Sequence, residues 1–327
     1  MTYIILFIIS AAVSVYSAIK LSTYADIISK ETKIGGMLAG TILLAVATSL
    51  PELTATGSAA VIGNADIAVG NGLGSIIFNI FVLFLLDIYF RRQQLFLRIS
   101  DHHFLTGLLG LILLLLAGFA LYWKPSFQIF GIGIMSISIA VAYFIGMGII
   151  SIKQNQNKQE EDEPASGEKK ETGSIKRTLI RFGLFSVAIF VSGSGLSISG
   201  DLMAEATGIS ATAVGSLLIA AATSLPDAVG VYVALRVANI DLAIGAIMGS
   251  NLFNIFVITI ADIFYREGSV WIDAEGGNIS TIVTGMLLTL GIMLLIKRDR
   301  TRNAFTYVLP SVLAIIGYGV FTLVLLS

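Results

Sequence analysis

Two short stretches of the chain place a carboxylate and a proline among apolar residues, and they are near-copies of one another. The first reads Ala-Thr-Ser-Leu-Pro-Glu over residues 47–52, and the second reads Ala-Thr-Ser-Leu-Pro-Asp over residues 222–227. Each leads to a Gly-Ser-x-x-Phe-Asn motif, at 74–79 and at 249–254. All matching positions are 175 residues apart, and a shift that persists over so much of the chain indicates an internal duplication. The same shift relates three pairs of aspartates, namely Asp26 and Asp201, Asp66 and Asp241, and Asp87 and Asp262.

The side chains that these motifs supply to a site are all oxygen ligands. Thr48 and Glu52 lie one helical turn apart and share a helix face, as do Thr223 and Asp227. The prolines at 51 and 226 remove a backbone donor and free carbonyl groups about one turn earlier. The candidate ligands predicted on these grounds are Glu52, Asp227, Thr48, Thr223, Ser75, Ser250, Asn79, Asn254 and the carbonyl groups around Ala47 and Ala222.

This set of ligands suits a hard cation such as Ca²⁺ or Na⁺ and disfavours zinc and copper, because it contains neither histidine nor sulfur. A carboxylate in the middle of a bilayer costs about 2.5–3.5 kcal/mol or more, so Glu52 and Asp227 favour a functional site over a simple helix-packing motif. Neither motif contains a basic residue, so bound cations or protons must neutralise the two acids. One Ca²⁺ or several Na⁺ ions can do so, which is the electrostatic basis of an exchanger. Proton loading is equally allowed on these grounds.

The composition is that of an integral membrane protein. Hydrophobic residues make up 56% of the 327 positions and charged residues 13%, and many apolar runs are long enough to cross a hydrocarbon core of about 30 Å. The net charge of −1 does not indicate a nucleic-acid partner, and the absence of cysteine excludes disulfides and thiolate metal sites. Hydropathy predicts an all-α fold of ten transmembrane helices, near 3–22, 34–60, 66–89, 104–122, 127–150, 178–199, 209–235, 241–264, 279–296 and 304–326.

A polar linker at 151–177 divides the chain into a first five-span repeat, 1–150, and a second, 178–327. If the N-terminus lies outside, all of the 20 basic residues except Lys124 and Arg266 fall on the cytoplasmic side, which predicts that both termini are outside. Five spans in each half place the second copy upside down relative to the first. Inverted repeats with broken helices at the core are typical of secondary transporters, whose substrate site lies near mid-membrane between the repeats.

The paired motifs, within 40–80 and 215–255, resemble the α1 and α2 repeats of the Ca²⁺/cation antiporter superfamily, in particular its sodium/calcium exchanger family of prokaryotic type. The resemblance implies a transporter of the inner or plasma membrane and not an enzyme. It implies no cofactor and no obligate protein partner, with Na⁺ entry driving Ca²⁺ export by alternating access. It also implies ion ligands: Glu52, Asp227 and the Thr48 and Thr223 carbonyls for Ca²⁺, then Ser49, Ser75, Ser224, Ser250 and the Ala47 and Ala222 carbonyls for Na⁺, with Asn79 and Asn254 completing the centre.

Two alternatives stay open beside a Na⁺/Ca²⁺ antiporter. The nearer one is an exchanger of the same fold that uses H⁺, or that carries another divalent ion. The more distant one is an intramembrane aspartyl protease, for which the Ser-Gly-Asp sequence at 199–201 is a poor match.

Three further expectations concern individual positions. Ile76 departs from the repeat, because the second copy has Asn251 there. Asp87 and Asp262 lie near predicted span ends and are expected at the membrane interface. Glycines are expected to allow close helix packing at Gly70, Gly72, Gly74, Gly245 and Gly249.

Overall fold

The computed structural model describes residues 1–31, 47–158, 175–298, 301 and 303–327. Within these residues the chain forms ten longer helices, which we number in chain order. They are α1 (Thr2–Glu31), α2 (Leu50–Val61), α3 (Ala65–Tyr89), α4 (His103–Trp123), α5 (Ile134–Lys158), α6 (Ile175–Thr207), α7 (Ala211–Arg236), α8 (Ile240–Phe264), α9 (Gly277–Ile296) and α10 (Ala304–Leu326).

All of these helices except α2 are long and apolar enough to cross a membrane. The described chain therefore contains nine candidate spans, and it is a multi-pass membrane protein. The second predicted span, 34–60, lies partly outside the described residues. Its described end forms α2. The middle of the predicted linker, 159–174, lies outside the described residues. Both of its described ends are helical, because α5 runs to Lys158 and α6 begins at Ile175.

A small hairpin precedes α5 and replaces the start of the fifth predicted span. Strands β1 (Gln128–Ile129) and β2 (Ile132–Gly133) pair antiparallel. The two residues between them, Phe130 and Gly131, both have positive φ angles, of 53° and 81°. Two residues with positive φ form the tight turn that suits a twisted two-residue hairpin. The expectation of a span beginning at 127 is therefore wrong by about two helical turns.

Helix α3 packs with its backbone almost against that of α7. A Cβ atom added to Gly74 would lie 2.5 Å from the Cα and 2.7 Å from the carbonyl carbon of Ser216 on α7. One added to Gly215 would lie 2.9 Å from the carbonyl oxygen of Ile67. Close packing is thus confirmed at Gly74, and at the predicted Gly70 and Gly72 as well. It is not found at Gly249, where an added Cβ would meet nothing within 4 Å.

The helices that carry Glu52 and Asp227 are irregular shortly before these residues. In the first half the helical backbone bends at Ser49, and α2 then starts at Leu50 with a proline in its first turn. Proline is tolerated there because the first-turn donors have no partner inside a helix. In the second half α7 stays continuous but widens into a π-helix over Val214–Ile219, one turn before its motif. Such widened turns are frequently found at functional sites.

The two halves exchange equivalent contacts through their third and fifth helices. Asp87 on α3 accepts hydrogen bonds from Ser311 and Tyr307 on α10, with a distance of 2.6 Å from Ser311. Asp262 on α8 accepts one of 2.6 Å from Ser136 on α5. Because the two serines are also 175 residues apart, these are the same contact made in both directions. Both aspartates are fully buried, and each acid joins one half to the other.

A second reciprocal contact lies at the opposite ends of α3 and α8. Asp66, at the start of α3, accepts a hydrogen bond of 2.8 Å from the backbone N–H of Glu275, just before α9. Asp241, at the start of α8, accepts one of 3.0 Å from the backbone N–H of Ser100, just before α4. These residues again form two pairs separated by 175 positions. The helices that carry the motifs are therefore fixed at both ends by the opposite half.

Candidate functional site

The first carboxylate, Glu52, lies in the first turn of α2 and is fully buried. Its Oε1 atom accepts a hydrogen bond of 3.1 Å from the Ser224 hydroxyl of α7. The Oε2 atom of Glu52 is buried without a hydrogen-bond partner in the described part of the chain. The first motif thus contacts the second directly, as the sequence predicts for two repeats that share one site.

The second carboxylate, Asp227, is partly buried on α7 and accepts a short hydrogen bond from the Ser250 hydroxyl of α8. Ser250 in turn lies 3.4 Å from the Asn79 amide nitrogen, which donates toward it from α3. Asp227 follows Ser224, the hydrogen-bond donor to Glu52, by three residues on α7. Neither carboxylate forms an ion pair with a basic side chain among the described residues, so their charge is left for a bound cation or proton to neutralise.

Several neutral groups of the two Gly-Ser-x-x-Phe-Asn motifs are buried without a partner in the described residues. They are the Ser75 hydroxyl, the Asn79 carbonyl oxygen, and both the carbonyl oxygen and the nitrogen of Asn254. Ser75, Asn79 and Asn254 are each 0% exposed, and burying a polar group without a hydrogen bond costs about 1–3 kcal/mol. The oxygen atoms among them are of the kind that hard cations prefer, and nothing else in the described chain uses them.

The remaining predicted ligands line the same region or the turn before it. Ala47 and Ser49 are buried in the first motif, where Thr48 is partly buried, and Ala222, Thr223 and Ser224 are buried in the second. The structure therefore brings the side chains of Glu52, Ser224, Asp227, Ser250 and Asn79 into one hydrogen-bonded or electrostatic group. The described residues contain no group of three or more His, Cys, Asp or Glu side chains able to hold a metal.

One contributor to this region was missed by the sequence reasoning. Asn71 on α3 is fully buried, donates a hydrogen bond of 2.8 Å to Thr56 on α2, and accepts one of 3.3 Å from Thr223 on α7. It therefore joins three helices next to a predicted ligand. The repeat does not predict a role for Asn71, because Ala246 occupies the equivalent position in the second copy. The available signal was an amide in the middle of an apolar span, which needs a partner when buried.

Comparison with protein families identifies the fold and the motifs together. The model of the family described as "Sodium/calcium exchanger protein" matches residues 2–152 and 178–327. The chain belongs to this exchanger family. The match covers both halves and leaves out the predicted linker between them.

Individual relatives of this exchanger align with it over most of its length. The inner membrane protein YrbG of Escherichia coli (strain K12) is 27% identical over 253 residues, which is 77% of each chain. The crystal structure of an H⁺/Ca²⁺ exchanger, CAX, matches with a TM-score of 0.66 and 15% identity, covering 99% of this chain and 88% of that one. A structure of the sodium-calcium exchanger NCX_Mj matches with a TM-score of 0.57 and 18% identity over 97% of each chain. At these identities the two structures establish the shared fold and not the counter-ion.

Proposed function

We propose that this exchanger is a secondary antiporter that moves Na⁺ in one direction and Ca²⁺ in the other by alternating access. The observation that carries the proposal is the set of buried neutral oxygens without partners in the motifs that follow Glu52 and Asp227 in each repeat. Family membership supports cation exchange, and this set of oxygens supports the choice of a metal ion over a proton as the counter-ion.

The choice rests on how many ligands each ion requires. A proton converts one carboxylate oxygen into a single O–H donor, so protonating both acids can satisfy at most two of the oxygens of Ser75, Asn79 and Asn254. Ca²⁺ takes 6–8 oxygen ligands, and a Na⁺ ion likewise prefers several hard oxygens. Loading the site with metal ions therefore satisfies both the two negative charges and the unpartnered oxygens, whereas protonation satisfies the charges but only some of these oxygens.

The roles of individual residues follow from this proposal. Ca²⁺ is held by the carboxylates of Glu52 and Asp227 with the carbonyl groups of Thr48 and Thr223, so that its two charges balance theirs. Na⁺ ions use the hydroxyls of the site, the amides and the remaining carbonyls: Ser49, Ser75, Ser224, Ser250, Asn79, Asn254, Ala47 and Ala222. No catalytic residue and no cofactor enter this scheme, and the transported ions are the only substrates.

The transport cycle requires a particular arrangement in the membrane, which is also part of the proposal. Ten spans form two inverted five-span repeats, 1–150 and 178–327, in the inner or plasma membrane, with both termini outside. The reciprocal contacts of Asp87 and Asp262 support the repeat relation, and the distribution of basic residues supports the orientation.

Purified protein in sealed vesicles tests the counter-ion. An imposed Na⁺ gradient is expected to drive Ca²⁺ uptake that does not change when a pH gradient is added or removed. Uptake that follows the pH gradient with Na⁺ absent would overturn Na⁺ coupling and assign the chain to H⁺/Ca²⁺ exchange.

Variants of the two acids test the site in the same vesicles. Glu52→Gln and Asp227→Asn each remove a charge that the divalent ion requires, so Na⁺-driven Ca²⁺ uptake is expected to fall to background. Glu205→Gln on α6 is the matched control, because Glu205 is an exposed acid that lies outside both motifs. Full uptake by Glu52→Gln would refute the placement of the ions between the motifs.

A further inference from the structure

The two amides of the site, Asn79 and Asn254, occupy equivalent positions of the repeat but make different contacts. The Asn79 nitrogen donates hydrogen bonds of 3.1 Å to the Asn251 side-chain oxygen and 3.4 Å to the Ser250 hydroxyl. Its own carbonyl oxygen has no protein partner among the described residues. Asn254 is equally buried, yet neither its nitrogen nor its oxygen has a partner there. One amide is thus held in a fixed orientation and the other is not.

The cause is the one position at which the two Gly-Ser-x-x-Phe-Asn motifs differ in polarity. Asn79 on α3 reaches across to residue 251 on α8, where the second repeat has asparagine. The reciprocal contact would join Asn254 to residue 76, where the first repeat has isoleucine. Ile76 is buried, at 1% exposed, on the same stretch of α3 as Gly72, which packs against the Asn254 backbone carbonyl. A hydrocarbon side chain there can neither donate nor accept a hydrogen bond.

We propose that Asn251 is a positioning residue that turns the Asn79 carbonyl oxygen toward the bound cation, and that Ile76 leaves Asn254 without such a partner. Positions 76 and 251 then decide which of the two amides is a preorganised ligand. This inference rests on the proposed cation site and goes beyond it, since neither residue is itself a ligand. A group that is already oriented loses less conformational entropy when the ion binds, so the gain is in cation affinity.

The size of the effect follows from one neutral hydrogen bond. Its net worth of about 0.5–1.5 kcal/mol corresponds to a change of about 2- to 10-fold in a dissociation constant. Replacing Asn251 with isoleucine copies the residue that the first repeat carries at the equivalent position. We therefore expect Asn251→Ile to raise the dissociation constant for Ca²⁺ about 2- to 10-fold, measured by calorimetry on the purified full-length protein.

A double-mutant cycle separates positioning from a merely structural role. If Asn251 acts through Asn79, the effect of Asn251→Ile on Ca²⁺ affinity disappears in an Asn79→Ala background, because no amide remains to be oriented. A structural role for Asn251 predicts the same loss of affinity in both backgrounds. Equal losses would overturn the proposal, and so would an unchanged affinity in Asn251→Ile alone.

The mirror-image variant gives an independent test that does not depend on a loss of function. Ile76→Asn supplies the missing partner to Asn254, and the substitution adds no bulk, because asparagine has a smaller side chain than isoleucine. We expect tighter Ca²⁺ binding, by about 2- to 10-fold, and we expect Asn254→Ala to abolish the gain. Ile76→Asn binding that is no tighter than wild type would contradict the assigned role of position 76.

The outcome can be told apart from a failure of the proposed function. Calorimetry measures Ca²⁺ binding without any counter-ion gradient, so the cycle can be read whether Na⁺ or H⁺ drives transport. If calorimetry shows that the wild-type protein binds neither Ca²⁺ nor Na⁺, the proposed function itself is refuted. Wild-type binding that is lost in Glu52→Gln, together with additive effects of Asn251→Ile and Asn79→Ala, would refute only the role of Asn251.

Discussion

Replacing Gly74 with alanine is expected to separate α3 from α7 and to inactivate the exchanger. The new Cβ would lie 2.5 and 2.7 Å from two backbone atoms of Ser216. Carbon atoms ordinarily pack at about 3.5–4.0 Å, so the two helices must move apart by about 1 Å. No side-chain rotation can relieve this contact, because the opposing atoms belong to the backbone of the π-helix.

The cost of this movement can be estimated from overpacked protein cores. Forcing an extra methyl group into a filled interface costs typically 1–3 kcal/mol, and the backbone contact places Gly74→Ala at the upper end, about 3 kcal/mol. A chain of 327 residues has an unfolding entropy of roughly 0.7 kcal/mol/K at the usual value per residue. The melting temperature of the purified protein should therefore fall by about 4 °C.

The repeat supplies a matched control for this experiment. Gly249 stands 175 residues after Gly74, in the same motif, but an added Cβ there meets nothing within 4 Å. Alanine is the better helix former by about 0.8–1.0 kcal/mol, so Gly249→Ala should melt at or slightly above the wild-type temperature. It should also retain Ca²⁺ uptake. Equal melting temperatures and equal uptake for the two variants would refute the argument that α3 and α7 are held at backbone contact.

Two further substitutions test the buried polar groups that join helices. Asn71→Ala removes the partner of two buried hydroxyls, one of them on Thr223, and should cost about 1–3 kcal/mol; an unchanged melting temperature would contradict the bridge between α2, α3 and α7. Asp262→Ala should lower the melting temperature more than Asp87→Ala. Asp262 also accepts hydrogen bonds from two backbone N–H groups. The donors to Asp87 are hydroxyls, which can turn to other partners when the carboxylate is removed. The reverse order in thermal melts would show that the backbone caps are unimportant.

The sequence was most informative where a residue is costly to place in a membrane. Glu52, Asp227 and their prolines stand out from apolar surroundings, and the constant shift of 175 residues shows that they are equivalent. Membership of the exchanger family, confirmed by the family match, follows from the same motifs. These features depend on residue type and spacing alone, so they can be read without coordinates.

The contacts between helices depend on information that spacing does not contain. Gly74 and Gly249 each open a Gly-Ser-x-x-Phe-Asn motif, yet of the two only Gly74 meets an opposing backbone. Asp87 and Asp262 lie near helix ends, but whether an end is exposed depends on which helix of the other half covers it. Asn71 was missed for the same reason: the three helices that it joins are distant in sequence, and its equivalent in the second copy is alanine.

The buried contact between Asp87 and the last helix has a consequence for synthesis. Its partners Tyr307 and Ser311 follow it by 220 and 224 residues, so at about 5–20 residues per second a ribosome needs roughly 10 to 45 s to supply them. During that interval α3 already carries a carboxylate whose native neighbours do not yet exist. The first half of the chain therefore cannot mature by itself, and its final assembly must wait until nearly the whole polypeptide has been translated.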